Sequence, residues 1–292
     1  MSNFKFKKIF AKSLKGNRNE NQDNYLICRN NGEGLIAEYL QNQKKKYTYR
    51  SRFENFIRIA VADGMGGHDN GREAAESVIK KFANSDPVKQ TKEMLELVKK
   101  IHKNLQKKFP TDSEKSPGST LVVADINTKT GEAILINVGD SRAYLKRNNR
   151  FECLTYDHTF TEFAFRDEEI DQEEYEKALN YKNNLVQAMI YGSAGIIKEK
   201  DGYKPYRFSQ DLRLDLPEDL PQDRANHADV FSLQLEKGDI LVLATDGLFK
   251  DDPENEWQQL FNNNPINQEF VEKLVNKSSQ RDNVTTIVCE VL

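Results

Sequence analysis

Two apolar runs far apart in the chain stop at the same dipeptide. Ile59-Ala60-Val61-Ala62 ends at Asp63-Gly64, and Leu241-Val242-Leu243-Ala244-Thr245 ends at Asp246-Gly247. A buried strand ending in a carboxylate projects a hard oxygen ligand from the rim of a sheet, and the glycine after it allows a turn at positive φ. A single ending of this kind is ordinarily just a turn. Two of them, joined by acids at other strand edges, suit a divalent cation, which draws several oxygen ligands from separate elements. Asp23 stands before Tyr25-Leu26-Ile27-Cys28, Asp282 before an alternating run over 284–289, and Asp140 follows the apolar run 133–138 through Gly139. Arg18, in the polar turn before Asp23, is either half of a surface ion pair or a fork for phosphate oxygens. Acids that collect cations beside such a fork would hydrolyse a phosphate ester.

The elements that must position these residues follow from periodicity. Strands are expected over 5–13, 25–28, 56–62, 121–126, 133–138, 143–145, 151–155 and 284–289, with 230–235 and 239–245 forming a hairpin across Glu236-Lys237-Gly238. Helical stripes run through Ala74, Ala75, Val78, Ile79 and Phe82, and through Met94, Leu97, Val98, Ile101 and Leu105, as an antiparallel pair laid on a sheet. Asp252-Pro253 opens a further helix and Asn267 caps another. Residues 29–55 read as a long connection or hairpin extension. The acidic stretch 161–182 reads as a partly exposed helical flap with a weak stripe at Ile170, Tyr175 and Leu179. Residues 193–226, with Pro205, Pro217 and Pro221, read as an irregular insertion.

Composition narrows the function classes. In 292 residues, 43 Lys and Arg against 46 Asp and Glu leave a formal charge of −3, which gives no basic field for nucleic acid. Cys28, Cys153 and Cys289 are odd in number and far apart, as expected of reduced thiols in a cytosol. The first ten residues are polar and lysine-rich, with neither a secretory core nor a membrane span, so a cytoplasmic protein is expected, export by a signal-independent route staying open.

Seven short motifs then fall in one order: Arg18-x-x-Asn21-Gln22-Asp23, Asp63-Gly64-Met65-Gly66-Gly67-His68, Gly118-Ser119-Thr120, Val138-Gly139-Asp140-Ser141-Arg142-Ala143, Leu154-Thr155-x-Asp157-His158, Thr245-Asp246-Gly247-Leu248 and Arg281-Asp282-Asn283-Val284-Thr285. In this order and over nearly the whole chain, the sequence resembles the type 2C, or PPM, metal-dependent protein phosphatases, in wording similar to bacterial members. The resemblance implies an α+β fold, a four-layer αββα sandwich with two central antiparallel β-sheets flanked by antiparallel helix pairs, built as one catalytic domain over 1–292. It implies hydrolysis of phosphoserine and phosphothreonine in proteins by in-line attack of a metal-bridging hydroxide, with two or three Mn²⁺ or Mg²⁺ as cofactors. By the same resemblance Asp63 bridges two cations, Asp246 and Asp282 complete the first, the Gly64 carbonyl binds the second, and Asp23 acts through metal-bound waters. Asp140 with Asp246 would hold a third, weaker cation, and Arg18 would grip the substrate phosphate.

The chain departs from that pattern in three places. Gln22 stands where many members carry glutamate, Met65 where eukaryotic relatives carry a histidine that can protonate the leaving oxygen, and Lys250 where a further acid often follows. A thioether cannot donate that proton, and His68 is as readily a structural residue. Asp157 and His158 are read as ordering the turn into the flap. The expected partner is a phosphorylated protein, with no nucleic acid and no membrane, met by a monomer. A phosphatase-fold binding module and a phosphatase of other phosphoesters stand as alternatives.

Overall fold

The computed structural model describes residues 8–30, 35–41, 43–49, 55–65, 70–109, 116–179, 184–199, 202–248 and 253–292. In chain order the elements begin with strands β1 (Lys8–Leu14), β2 (Asn24–Asn30), β3 (Leu35–Gln41), β4 (Gln43–Tyr49), β5 (Phe56–Ala62) and β6 (Gly64–Met65), then helices α1 (Asn70–Ala83) and α2 (Thr91–Gln106). Strands β7 (Gly118–Ser119), β8 (Leu121–Asn127), β9 (Glu132–Val138), β10 (Arg142–Arg147) and β11 (Arg150–Cys153) lead to α3 (Phe160–Arg166) and α4 (Gln172–Leu179). The chain closes through β12 (Gln187–Ala188), β13 (Gly192–Glu199), β14 (Gly202–Ser209), β15 (Val230–Gln234), β16 (Ile240–Ala244), α5 (Pro253–Asn263), α6 (Gln268–Lys277) and β17 (Val284–Glu290).

Two antiparallel sheets form the centre. One has seven strands in the order β15-β9-β8-β5-β2-β3-β4, the other five in the order β1-β17-β16-β10-β11. Three apolar clusters correspond to the three interfaces between four layers. Ile57, Ile59 and Val61 of β5 meet Leu241 and Leu243 of β16 and Ile287 of β17 between the sheets. Ala60 and Ala62, on the other side of β5, pack under Ala75, Val78, Ile79 and Phe82 of α1 and Met94, Val98 and Ile101 of α2. Val242 and Ala244, on the other side of β16, pack under Trp257, Phe261, Phe270 and Leu274 of α5 and α6. A strand covered on both faces cannot alternate apolar with polar, so β16 and the Ile59-Ala60-Val61-Ala62 part of β5 read as unbroken apolar runs, the buried Arg58 before the latter being paired with Asp125 of β8, and Asp63 and Asp246 stand just beyond their ends. This is the four-layer α+β sandwich expected from the sequence.

Local readings divide. Asn267 caps α6, its side chain accepting from the Phe270 amide at 2.8 Å. Within the stretch read as 29–55, β3 and β4 do extend the seven-stranded sheet, pairing antiparallel with each other. The hairpin expected across Glu236-Lys237-Gly238 does not form: β15 pairs with β9 in one sheet and β16 with β10 and β17 in the other. The turn is real, closed by the Asp239 amide on the Glu236 carbonyl and the Asp239 carboxylate on the Glu236 amide. It turns a corner between layers, because each strand finds a longer partner elsewhere. The insertion expected to be irregular over 193–226 carries nearly all of β13 and all of β14, which join β12, just before it, in a three-stranded sheet of order β12-β13-β14. Pro205 is tolerated there because β14 is its edge strand. The acidic stretch breaks into α3 and α4, and Glu162, Phe163, Ala164, Phe165 and Arg166 of α3 are all buried. Of the expected flap stripe only Tyr175 is buried, while Leu179 is 56% exposed. The Gly66-Gly67-His68 and Lys250–Asp252 stretches lie outside the described residues. No helix among the described residues is long and apolar enough to cross a membrane.

Candidate active site

Asp63 leaves the end of β5 and is fixed by its own backbone. Its amide donates to Thr120 Oγ1 at 2.9 Å, its carbonyl accepts from the Thr120 amide at 2.9 Å, and Thr120 Oγ1 meets Ser141 Oγ at 2.7 Å. Ser141 is fully buried, so the turn carrying Asp140 is tied to the strand end carrying Asp63. The glycine after Asp63 is required for a reason other than the one the sequence gives. Gly64 is not among the glycines at positive φ; a Cβ on it would stand 2.2 Å from the Gly71 carbonyl oxygen in the first turn of α1. Gly247 is similar, a Cβ there falling 1.9 Å from the Asn283 carbonyl oxygen. Both glycines permit close backbone approach, so the rims of the two sheets can share one cavity.

The other acids arrive by crossing the molecule. Asp246 starts a turn of 3-10 helix, Asp246–Leu248, directly beyond β16. Asp282 lies in the turn between α6 and β17, and its neighbour Asn283 staples the N-terminal loop. The Asn283 side-chain amide donates to the carbonyls of Lys15 at 2.7 Å and Glu20 at 2.9 Å and accepts from the Gln22 amide at 2.8 Å. Gly16, at φ 59°, packs so tightly against this turn that a Cβ would meet the Asp282 carbonyl oxygen at 2.1 Å. Asp23 follows the same loop into the interior, where it is 3% exposed. Its Oδ2 accepts from Thr245 Oγ1 at 2.9 Å, and its buried Oδ1 has no hydrogen-bond partner.

A cavity of about 590 Å³ opens between the sheet rims, lined by Asp63, Gly64, Asp140, Asp246, Asp282 and Arg18 among others. Carboxylates gathered under protein repel each other's charge. Burial first, opposed by the Thr285 and Thr245 hydrogen bonds and reinforced by Asp246 and Asp282, pushes Asp23 up to about 7. Burial and the Asp246 and Asp157 charges bring Asp140 to about 7. Burial, then Asp23, Asp246, Asp140 and Asp282, hold Asp63 well above the usual carboxylate range, and burial with Asp282 raises Asp246. The compensating side chain is Arg18, whose Nη2 lies 2.5 Å from Asp282 Oδ2; that bond and the Asp282 charge raise the guanidinium further. This arginine in the main cavity, with the Arg142 charge reaching Asp140 from beside it, still leaves Asp63 and Asp140 raised.

These residues fit divalent cations. The orphaned Asp23 oxygen, the mutual repulsion of the acids and their all-oxygen chemistry match what Mg²⁺ or Mn²⁺ accept. Among the described residues no group of three or more His, Cys, Asp or Glu side chains forms a ready-made cage. The donor set therefore suits ions held by one or two carboxylates each, with backbone carbonyl and water completing the shell.

The structure brings together on one cavity five residues singled out by sequence, Arg18, Asp63, Asp140, Asp246 and Asp282, along with Gly64, and sets Asp23 beneath them. Arg18 is an ion-pair partner of Asp282, as one reading held, and it also lines the cavity. Sequence reasoning missed Glu20, which lines the cavity and accepts from Gln22 Nε2 at 2.9 Å. An acid two residues after Arg18 was the available signal. It also missed a buried charge network under α3. Arg166 contacts Glu162 at 2.7 Å and Asp229 at 2.8 Å, Asp229 meets His158 Nε2 at 2.7 Å, and His227 Nδ1 meets Glu162 at 2.8 Å. Asp157 takes a bidentate pair from Arg142 at 2.7 Å on both bonds. Asp157 and His158 thus order the chain leading into α3, as the sequence reading held.

The chain is similar to known proteins. Residues 12–164 match the family profile described as Protein phosphatase 2C. The Serine/threonine phosphatase stp of Listeria welshimeri is 26% identical over 247 residues, covering 80% of this chain and 83% of its own length. Among solved structures, Serine/threonine phosphatase Stp1 from Staphylococcus aureus superposes with a TM-score of 0.66 at 21% identity, covering 99% of this chain and 96% of that one. The catalytic domain of serine threonine protein phosphatase PstP, in complex with two manganese ions, superposes with a TM-score of 0.60 at 19% identity, covering 98% of each chain.

Proposed function

Since the chain belongs to the protein phosphatase 2C family, we propose that it removes phosphate from phosphoserine and phosphothreonine side chains of proteins, with Mn²⁺ or Mg²⁺ as cofactor. The observation that carries this reading is the single cavity in which Asp63, Asp140, Asp246 and Asp282 crowd together beside the guanidinium of Arg18. Asp63, the Gly64 carbonyl, Asp246 and Asp282 would hold two cations, Asp23 would support them from beneath, and Asp140 with Asp246 would take a third. When bound, the cations supply Lewis-acid charge and acidify water at the phosphorus.

The chain's own contribution is positioning. Arg18 presents five donors in a planar fork, so it can keep one edge on Asp282 while the other takes two phosphate oxygens. That grip aligns the phosphorus with the acids and offsets charge that builds on the equatorial oxygens as the ester bond breaks. Thr120 holds Asp63 by both backbone groups, so the strand end that carries the carboxylate is fixed beside the cavity.

The test is release of phosphate from phosphothreonine and phosphoserine peptides with and without Mn²⁺, with Asp63→Asn as the control. Metal-dependent turnover lost in the variant is the expected result. Equal turnover by Asp63→Asn, or none by a folded wild type supplied with Mn²⁺ or Mg²⁺, overturns it.

A further inference from the structure

The cavity has a side lobe. A second space of about 330 Å³ shares Arg18, Asp140, Asp246 and Asp282 with the main cavity, and its outer wall is formed by Arg142, Asp157, Ser279 and Arg281. Three arginines thus face a space that opens from the place where the substrate phosphate would sit.

Two of the three are committed. Arg142 is locked on Asp157 by two parallel bonds and reaches the Tyr144 hydroxyl at 3.4 Å. Arg18 lies on Asp282 and is the residue that faces the reacting phosphate. Arg281 differs: it is exposed, and among the described residues its guanidinium has no ion-pair or hydrogen-bond partner, only its backbone amide reaching Ser279 Oγ at 3.4 Å. Its backbone is nevertheless rigidly placed. Gln280 before it sits at φ 52° with its carbonyl accepting from the Asn17 amide at 2.8 Å, and Asn283 after it is stapled to the N-terminal loop. A free guanidinium on a fixed turn, beside a space large enough for a carboxylate or phosphate, has the form of an anion-binding element. The acids of the lobe do not cancel it, since Asp157 and Asp282 each carry an arginine and Asp140 and Asp246 belong to the cation site.

We propose that the side lobe binds a second anionic side chain of the substrate, a few residues from the phosphorylated one, with Arg281 as the residue that reads it. This rests on the proposed phosphatase function and narrows its substrate class to phosphopeptides with a flanking carboxylate or phosphate. Successive side chains of an extended peptide alternate at about 3.3 Å per residue, so the neighbour in the lobe and the phosphorylated residue in the main cavity belong to one short segment.

The experiment uses the full chain with Mn²⁺ and a phosphothreonine peptide flanked by alanines. Glutamate or phosphoserine is placed singly at each of the three positions on either side, and kcat/KM is measured for each peptide against the alanine-flanked parent. At one or more positions on one side an anion raises kcat/KM by about fivefold, the scale of a partly exposed ion pair; if phosphate alone gains, the lobe reads phosphate, and if glutamate gains equally it reads negative charge. The ratio falls close to one in Arg281→Gln, is kept in part by Arg281→Lys, and turns toward lysine-flanked peptides in Arg281→Glu. In the wild type it also shrinks between 0.1 M and 1 M salt, where the screening length falls from about 10 Å to about 3 Å. No position giving an enhancement, or an enhancement that survives Arg281→Gln, overturns the proposal. Because each ratio is internal to one variant, a general loss of activity does not imitate the effect. Failure of the phosphatase function reads differently, as no turnover of any peptide, and takes the side lobe's role with it.

Discussion

Replacing Asp23 by asparagine should stabilise the ion-free protein at alkaline pH, the reverse of what removing a buried hydrogen-bonded carboxylate usually does. The substituted amide would keep the shape and an acceptor oxygen for Thr245 Oγ1. It would lose a charge that burial and the neighbouring acids disfavour more than the two threonine hydrogen bonds favour it. Burial and neighbouring acids move the Asp23 carboxyl from 3.8 to about 7. A folded pKa raised above the unfolded one means that the folded state holds the proton more tightly. The stability this gives is present in full below about 4 and is lost as pH rises through about 7. At about 1.4 kcal/mol for each tenfold in proton affinity, the interval amounts to about 4 kcal/mol, a ceiling because Asp23, Asp63 and Asp246 titrate together. For a chain of this size that is about 6–8 °C in melting temperature. Thermal melts in EDTA should therefore show Asp23→Asn level with the wild type near about pH 4 and several degrees above it near about pH 8. The buried His102, which burial lowers, shifts stability the opposite way with pH but is common to both proteins and cancels. With excess Mn²⁺ the order should reverse, because ions that bind only the folded state raise its stability and the wild type holds them better. A variant less stable than the wild type in EDTA at high pH, or a difference that does not change with pH, refutes the charge-crowding argument.

Arg18→Ala should lower kcat/KM on phosphopeptides by about 30-fold or more, the worth of a charge-assisted grip on phosphate, while Mn²⁺ still raises the melting temperature; loss of that metal response would make Arg18 a structural partner of Asp282. Gly64→Ala should cost about 1–3 kcal/mol in urea unfolding and much of the activity, since its Cβ must displace the first turn of α1; an unchanged midpoint would refute the close-approach reading. Arg166→Met should destabilise the fold by about 3–5 kcal/mol, because it strands Glu162 and Asp229 as buried charges. At low pH that penalty should shrink: Asp229, which Arg166 and His158 hold at about 2 against the effect of burial, keeps its stabilising charge above about 4 in the wild type and loses it as pH falls through about 2.

The layers were legible because their cause is written into single strands. A run such as Ile59 to Ala62 with no polar partner in its alternation must be covered on both sides, and the structure covers it with β16 and β17 on one face and α1 and α2 on the other. What could not be read is which strand pairs with which. Glu236-Lys237-Gly238-Asp239 has the composition of a hairpin turn, and Asp239 closes it as it would a hairpin. Whether the next strand folds back on β15 or crosses to β10 and β17 depends on partners far away in the chain. The insertion failed for a local reason. Pro205 counts against a strand only when its amide is needed, and an edge strand does not need it.

The site divides along the same line, between what a residue is and what it touches. Aspartates at the ends of apolar runs announced themselves, and the fold brings four of them to one cavity. The glycines after two of them announced a turn at positive φ, and that inference was wrong in mechanism though right in position. Gly64 and Gly247 are needed because the Gly71 and Asn283 carbonyls come to within 2.2 Å and 1.9 Å of where a Cβ would stand. Nothing within the local sequence distinguishes those two demands. The distinction matters for chemistry, since a glycine that serves only a turn can be replaced by asparagine at modest cost, whereas these two admit no side chain at all. The Asp-Gly pairs are thus contact points at which α1 and the α6–β17 turn close on the rims of the two sheets. Asp63 and Asp246 are thereby each one residue from a backbone contact that holds a neighbouring element against the rim.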